Sequence, residues 1–134
     1  RKKQPFYGKQ GFVAGKIKLG ESVLDAAKRE FLEETHLSGE PSLVLIRHYR
    51  VFAQEDRRLL EDKFMFLCLV QEPSGEMKSN EEVELVWTKL DEVRQKVTNP
   101  FEDIDHLLQI LTEVTTAKNG VVKYEEVEYT TTSF

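Results

Sequence analysis

Hydrophobic residues recur along this chain with two different periods, and the changes of period divide it into elements. Ser22–Thr35 carries apolar residues at helical spacing, with Ser22 as N-cap and Asp25 three residues on as a weak capping box. Ser42–Gln54 and Leu60–Gln71 are rich in Val, Ile, Leu, Phe and Tyr, which suit a pleated, half-buried surface, and both read as strands. The charged EDRRLLED between them supplies the turn. EPSGEMKSNE (72–81), with Pro73, Gly75 and little apolar anchorage, reads as a loop able to move, followed by a strand over Glu82–Thr88. Leu90–Val97 is predicted as a short helix and Phe101–Ala117 as a longer one, with Pro100 near its first turn. Lys118-Asn119-Gly120 then turns into VVKYEEVEY, which alternates like a strand. Near the start, Gln10–Gly15 and Lys16–Leu19 suggest two further short strands, and residues 1–8 a loop. Strands interleaved with helices predict an α/β sandwich with a mixed sheet. No repeat or long linker divides it, so residues 1–134 are expected to form one domain.

The first helix departs from the usual amphipathic pattern. At about 100° per residue, Val23, Ala27, Glu30 and Glu34 fall in one row. Leu24 and Phe31 lie on one side of it, and Ala26 and Glu33 on the other. Asp25, Lys28 and Thr35 fall towards the opposite face. An ordinary surface helix keeps such a row apolar and turns it to the core. Here its C-terminal half carries carboxylates, which repel one another unless a cation or hydrogen bonds compensate. Arg29 can pair with Glu33 at i+4, but one arginine does not neutralise three glutamates. Oxygen ligands at i, i+3 and i+4 suit Mg²⁺ or Mn²⁺. Just upstream, Gly15 and Gly20 allow tight turns and close approach to a phosphate or metal. Taken alone, E-x-x-E-E is more often a solvated helix face than a metal site.

Composition narrows the function classes. A net charge of −5 argues against broad electrostatic binding to nucleic acid or anionic lipid. It leaves room for a phosphorylated small molecule, because a bound cation reverses the local field. The single cysteine, Cys68, sits in the apolar run KFMFLCLV and reads as a packed thiol. With no disulfide, no signal-peptide pattern and no run of ~20 apolar residues, a cytoplasmic location is expected. His36, His48 and His106 make no zinc-like spacing, and neither a Walker motif nor G-x-G-x-x-G appears.

Residues 15–37, GKIKLGESVLDAAKREFLEETHL, resemble the Nudix box, G-x5-E-x7-R-E-U-x-E-E-x-G-U, where U is a bulky apolar residue. Gly15, Glu21, Arg29-Glu30, Phe31, Glu33-Glu34 and Leu37 all match. Agreement at these eight positions by chance is on the order of 10⁻⁸ per starting point at ordinary residue frequencies. The box departs from the family at His36, which replaces the glycine that ends the helix; histidine tolerates positive φ better than most residues. Val13-Ala14 also stands where the family often has Pro-Gly. The resemblance implies a Nudix-like α/β/α sandwich. The family's first strand is not visible before QPFYGKQGF, and the chain opens at Arg1, so that strand is expected to lie upstream.

What the resemblance implies for function is a Mg²⁺-dependent hydrolase, with Mn²⁺ as a substitute, that cleaves a diphosphate linkage in a nucleotide-like small molecule. Glu30, Glu33 and Glu34 would be metal ligands, completed by the backbone at Gly15. Arg29 would orient the glutamates and Glu21 support the site. Lys16 and Lys18 are candidates to meet phosphate charge. Tyr7, with Phe6 and Phe12, is a candidate stacking surface for a base. A further acid is expected from a later loop; Glu81, Glu82 and Glu84 are candidates, with Glu82 favoured as metal ligand or general base. The alternative is a non-catalytic Nudix-fold nucleotide sensor, disfavoured because every box glutamate is present. A diphosphate isomerase would need a cleft nucleophile, for which mid-strand Cys68 is poorly placed.

Overall fold

A computed structural model describes residues 12–79, 84–89, 92–93, 104–116 and 121–132. Within them the chain order is α1 (Val23–Thr35), β1 (Pro41–Ala53), β2 (Leu59–Val70), α2 (Ile104–Thr116) and β3 (Lys123–Thr131). The strands form one mixed sheet in the order β2-β1-β3. β1 and β2 are an antiparallel hairpin, whereas β3 returns parallel to β1 after the chain has passed through α2. A parallel neighbour requires such a crossover, since a tight turn only reverses direction.

The hairpin turn is shorter than its sequence suggests. Ala53 and Arg58 close it through a 2.9 Å backbone bond, Arg57 takes φ of 60°, and Asp56 accepts the Arg58 amide at 3.1 Å. LLED belongs to β2 rather than to the turn. Bulges interrupt the β1–β2 register around Val44 and near Phe52.

Leu45 and Leu107 are the largest wholly buried side chains. Together with Val44 and Ile110 they form the centre of the core, with Met65, Leu67 and Leu69 packed against it. α2 therefore lies on the sheet through its Leu107–Ile110 face. Full burial of one such leucine contributes about 2 kcal/mol. Cys68 is partly buried in β2, and burial pushes its thiol pKa up, as befits a packed thiol.

Charge joins β3 to β1. Arg47, 5% exposed, donates to Glu125, which also hydrogen-bonds His106 of α2 at 2.7 Å. Burial works to raise the Glu125 carboxyl, but the hydrogen bonds from His106 and Arg47 outweigh it and hold it below the usual range. On the opposite face His48 bridges both neighbouring strands, touching Asp62 at 2.5 Å and Glu126 at 2.8 Å while stacking on Phe64. Arg50 donates to Glu128 at 2.6 Å.

Three expected strands, Gln10–Gly15, Lys16–Leu19 and Glu82–Thr88, are absent from the described residues. Phe12–Lys18 has no regular structure, because its polar backbone groups serve side chains instead: the Lys16 carbonyl accepts from Arg29, and the Lys18 amide donates to Glu21. Glu84–Lys89 is likewise irregular, with the Leu85 amide spent on Ser79 Oγ. The Leu90–Val97 helix falls mostly outside the described residues, as do Gln10–Gly11 and Glu82–Val83. Among the described residues no helix is long and apolar enough to cross a membrane.

Candidate active site

The site begins where the chain enters α1. Ser22 Oγ accepts the Asp25 amide at 3.1 Å, capping the helix as its sequence indicates. Gly20 (φ 86°) turns the chain just before the cap, and Glu21 accepts the Lys18 amide at 3.0 Å. This turn leaves the Glu21 carboxylate beside Arg29, two turns into the helix.

Arg29 is the hub. Its Nε and Nη2 grip both Glu21 oxygens, at 2.8 and 2.9 Å, in a fork-to-fork pairing. Nη1 reaches Glu30 at 2.7 Å and Glu33 at 3.3 Å, and Nη2 also donates to the Lys16 carbonyl at 2.9 Å. One guanidinium thus gathers three carboxylates and the preceding loop. The electrostatic consequence is reciprocal. The Arg29 hydrogen bond, with lesser help from the Lys18 amide, lowers the Glu21 carboxyl to about 2, while Glu21 and then Glu30 push the guanidinium further up.

Gly15 closes the site from the loop side. A Cβ placed there would sit 2.0 Å from Glu30 Cδ and 2.3 to 2.4 Å from its oxygens, so the Glu30 carboxyl group rests directly on the glycine backbone. Any larger residue evicts it. Glu34, half-buried, lies in the last turn of α1. There the helix is stopped by His36 in the left-handed conformation (φ 64°), whose amide bonds Leu32 O at 2.9 Å. The histidine occupies the geometry expected of the family's glycine.

Of the residues singled out in the sequence, Gly15, Glu21, Arg29, Glu30 and Glu33 are brought together. Glu30 and Glu33 converge on Arg29, and among the described residues no three acidic, histidine or cysteine side chains are grouped to chelate an ion. Lys16 and Lys18 are exposed on the loop, as is Phe12, and their backbones are what contact the site. Tyr7, Phe6, Glu81 and Glu82 lie outside the described residues; Glu84 is exposed. Trp87, 65% exposed rather than anchored in a strand, lines an open cavity of about 340 Å³ with Thr88, Lys89 and Glu92.

The expectation of a lightly anchored 72–81 loop is corrected over 72–79. Ser38 and Ser74 exchange both backbone hydrogen bonds at 2.9 Å, and the Lys78 amide donates to Thr35 O at 3.0 Å. Thr35, on the face opposite the carboxylate row, is buried. Its hydroxyl donates to Phe31 O and accepts from the Leu37 amide. These are backbone contacts made by small polar residues, a class that leaves no signature in residue patterning.

The family model for the NUDIX domain matches residues 1–108. Among solved structures the chain is similar to the crystal structure of the mMutator MutT protein from Bacillus halodurans. Identity is 30%, the TM-score is 0.68, and the match covers 87% of this chain and 71% of that one. No curated protein matches it.

Proposed function

Since this chain belongs to the NUDIX family and is a pyrophosphohydrolase acting on nucleoside diphosphate derivatives, we propose that it works with Mg²⁺, and with Mn²⁺ as a substitute, on a diphosphate bond joining a nucleotide to a second moiety. The observation that carries this reading is the Arg29 hub, which gathers Glu21, Glu30 and Glu33 beside a glycine with no room for a side chain.

The donor types on offer, carboxylate and backbone carbonyl oxygen, are those a hard divalent cation takes. Glu30, Glu33 and Glu34 offer carboxylate oxygens from adjoining turns of one helix, and the tight seat of Glu30 on Gly15 leaves backbone close by as a further donor. When bound, the ion supplies charge neutralisation for the phosphate oxygens and acidifies water. The protein's own groups do the rest. Arg29 fixes the directions of Glu30 and Glu33, and Glu21 fixes Arg29. Lys16 and Lys18 meet phosphate charge at the loop, and Tyr7 offers a ring to the base. Glu82 takes the proton of the attacking water, whose oxygen bonds to phosphorus while the bridging P–O bond breaks and the leaving phosphate departs in line.

A panel of nucleoside diphosphate derivatives, assayed for release of the nucleoside monophosphate with Mg²⁺ and with chelator, tests the proposal. Cleavage is expected only with the cation. Cleavage undiminished by chelator, or none of any substrate, refutes it. Single Gln substitutions at Glu81, Glu82 and Glu84 assign the acid: only Glu82→Gln is expected to slow kcat severely.

A further inference from the structure

The helix that carries the glutamates ends on bonds made by Thr35. Its hydroxyl donates to Phe31 O at 2.6 Å, one turn back, and accepts the Leu37 amide at 3.1 Å, beyond the cap. Its carbonyl accepts the Lys78 amide at 3.0 Å, and Ser38 and Ser74 exchange two further backbone bonds just beyond the helix. Thr35 and Leu37 are each 3% exposed, so water does not stand in for the bond between them. Between the two partners of the hydroxyl lies His36, at φ 64°. A left-handed backbone costs any residue with a Cβ, and glycine, the family's residue there, avoids that cost. The end of α1 in this chain therefore unwinds more readily than one closed by glycine. The Thr35 hydroxyl opposes the unwinding by gripping the chain on both sides of the histidine.

We propose that Thr35 is a positioning residue for Glu34: its hydroxyl fixes the pitch of the last turn of α1, and with it the place from which the Glu34 carboxylate meets the cation. The inference rests on the functional reading above and deepens it. Arg29 holds Glu30 and Glu33 through their carboxylates. Glu34 stands one turn beyond Glu30 and immediately before Thr35, so every bond that sets residue 35 also sets the backbone of residue 34. The two side chains take different sides. Thr35 is turned into the protein, opposite the carboxylate row, and holds the turn without occupying the site. A site geometry of this kind must be kept to within about 0.5 Å. Relaxing one residue from α to 3₁₀ geometry changes its rise from about 1.5 to about 2.0 Å, which already exhausts that tolerance.

The test uses the whole chain with Mn²⁺ as the probe, its affinity read from the paramagnetic signal of the free ion rather than from turnover. Thr35→Val keeps the shape and removes the hydroxyl. Mn²⁺ binding is expected to weaken about tenfold, the size of effect that groups supporting metal ligands have. Thr35→Ser, which retains Oγ and loses only a methyl group, should bind within about twofold of wild type. In a Glu34→Gln background, Thr35→Val should weaken binding no further, since the group it positions is gone. Should Thr35→Val not fold, Thr35→Cys against Thr35→Ser makes the same contrast, because a thiol is a weak donor and acceptor. Wild-type affinity in the variant lacking the hydroxyl overturns the proposal alone. So does an equal loss in Thr35→Ser, which would make methyl packing responsible. A full further loss on top of Glu34→Gln also overturns it, because the hydroxyl would then serve the fold or another ligand. A wild-type chain that binds no Mn²⁺, or Glu34→Gln that binds it as tightly as wild type, overturns the functional reading, and the proposal with it.

Discussion

Gly15→Ala should separate activity from stability in this protein. The added Cβ would stand 2.0 Å from Glu30 Cδ, and an ordinary contact needs about 3.4 Å, so one of the two must move by roughly 1.4 Å. The glycine is held by its neighbours' bonds: Lys16 O is tied to Arg29, and the Lys18 amide to Glu21. The Glu30 side chain is the softer partner and swings away, losing the 2.7 Å bond to Arg29. Misplacing a catalytic group by about 1 Å can lower a rate by about 10², and a fall of that size in kcat is expected. Stability should barely change. The Gly15 backbone is not in the left-handed region, so alanine adds no strain there, and its smaller unfolded-state entropy contributes about 0.4–1 kcal/mol the other way. Steady-state hydrolysis in saturating Mg²⁺, read beside a urea melt, measures both. Wild-type kcat, or a loss matched by unfolding, would refute the reasoning.

Glu34→Gln should keep the fold, judged by circular dichroism, and lose hydrolysis by a factor of about 10² or more, as expected for damage to metal-ion catalysis. Arg29→Lys replaces a five-donor fork by one ammonium; kcat should fall, and an NMR titration should find Glu21 moved up from about 2 towards 4.5. Stability that Glu21 contributes is present above its unfolded value and is lost as pH falls through its folded one, so the wild-type advantage over Arg29→Lys should shrink between pH 4.5 and about 2. His48 has the opposite sign. Asp62's hydrogen bond and, against desolvation, the charge of Glu126 raise it, so its stabilising contribution is full below 6.5 and fades as pH climbs through the higher folded value. Denaturant midpoints of His48→Gln measured across that window should lie flatter than those of wild type, and parallel curves would count against the bridge.

Much of the fold is legible in the sequence because its elements obey simple periods. The Ser22 cap, the ends of α1 and the β1–β2 hairpin emerge within a residue or two, and the left-handed His36 follows from its place in the box. The box also announces the company of Arg29, Glu21 and Glu30, since their types and spacing have few other uses. Backbone bonding is different, because no periodicity encodes it. Lys16 and Lys18 suggest strands, yet their backbone groups answer to Arg29 and Glu21. Ser74 and Lys78 read as part of a mobile loop because small and polar residues supply no apolar anchorage, and their anchorage turns out to be hydrogen bonds. The pairings of Arg47, His48 and Arg50 leave no trace in a strand recognised by its hydrophobicity, because their partners sit 78 residues away.

That constant separation works as a code. Basic side chains at 47, 48 and 50 face carboxylates at 125, 126 and 128, the same interval of one and then two on both strands. If β3 slid by one residue in either direction, one matched pair would survive, and a slide of two residues does no better. Sliding two residues one way would set Arg47 against Lys123, and the other way against Val127. Hydrophobic alternation forbids odd slips because they turn every side chain to the wrong face, but it is blind to even ones. The uneven spacing of charge removes that remaining ambiguity. β3 arrives late, along a parallel path with no hairpin turn to set its alignment, and the charges select the single position at which the strand can lock.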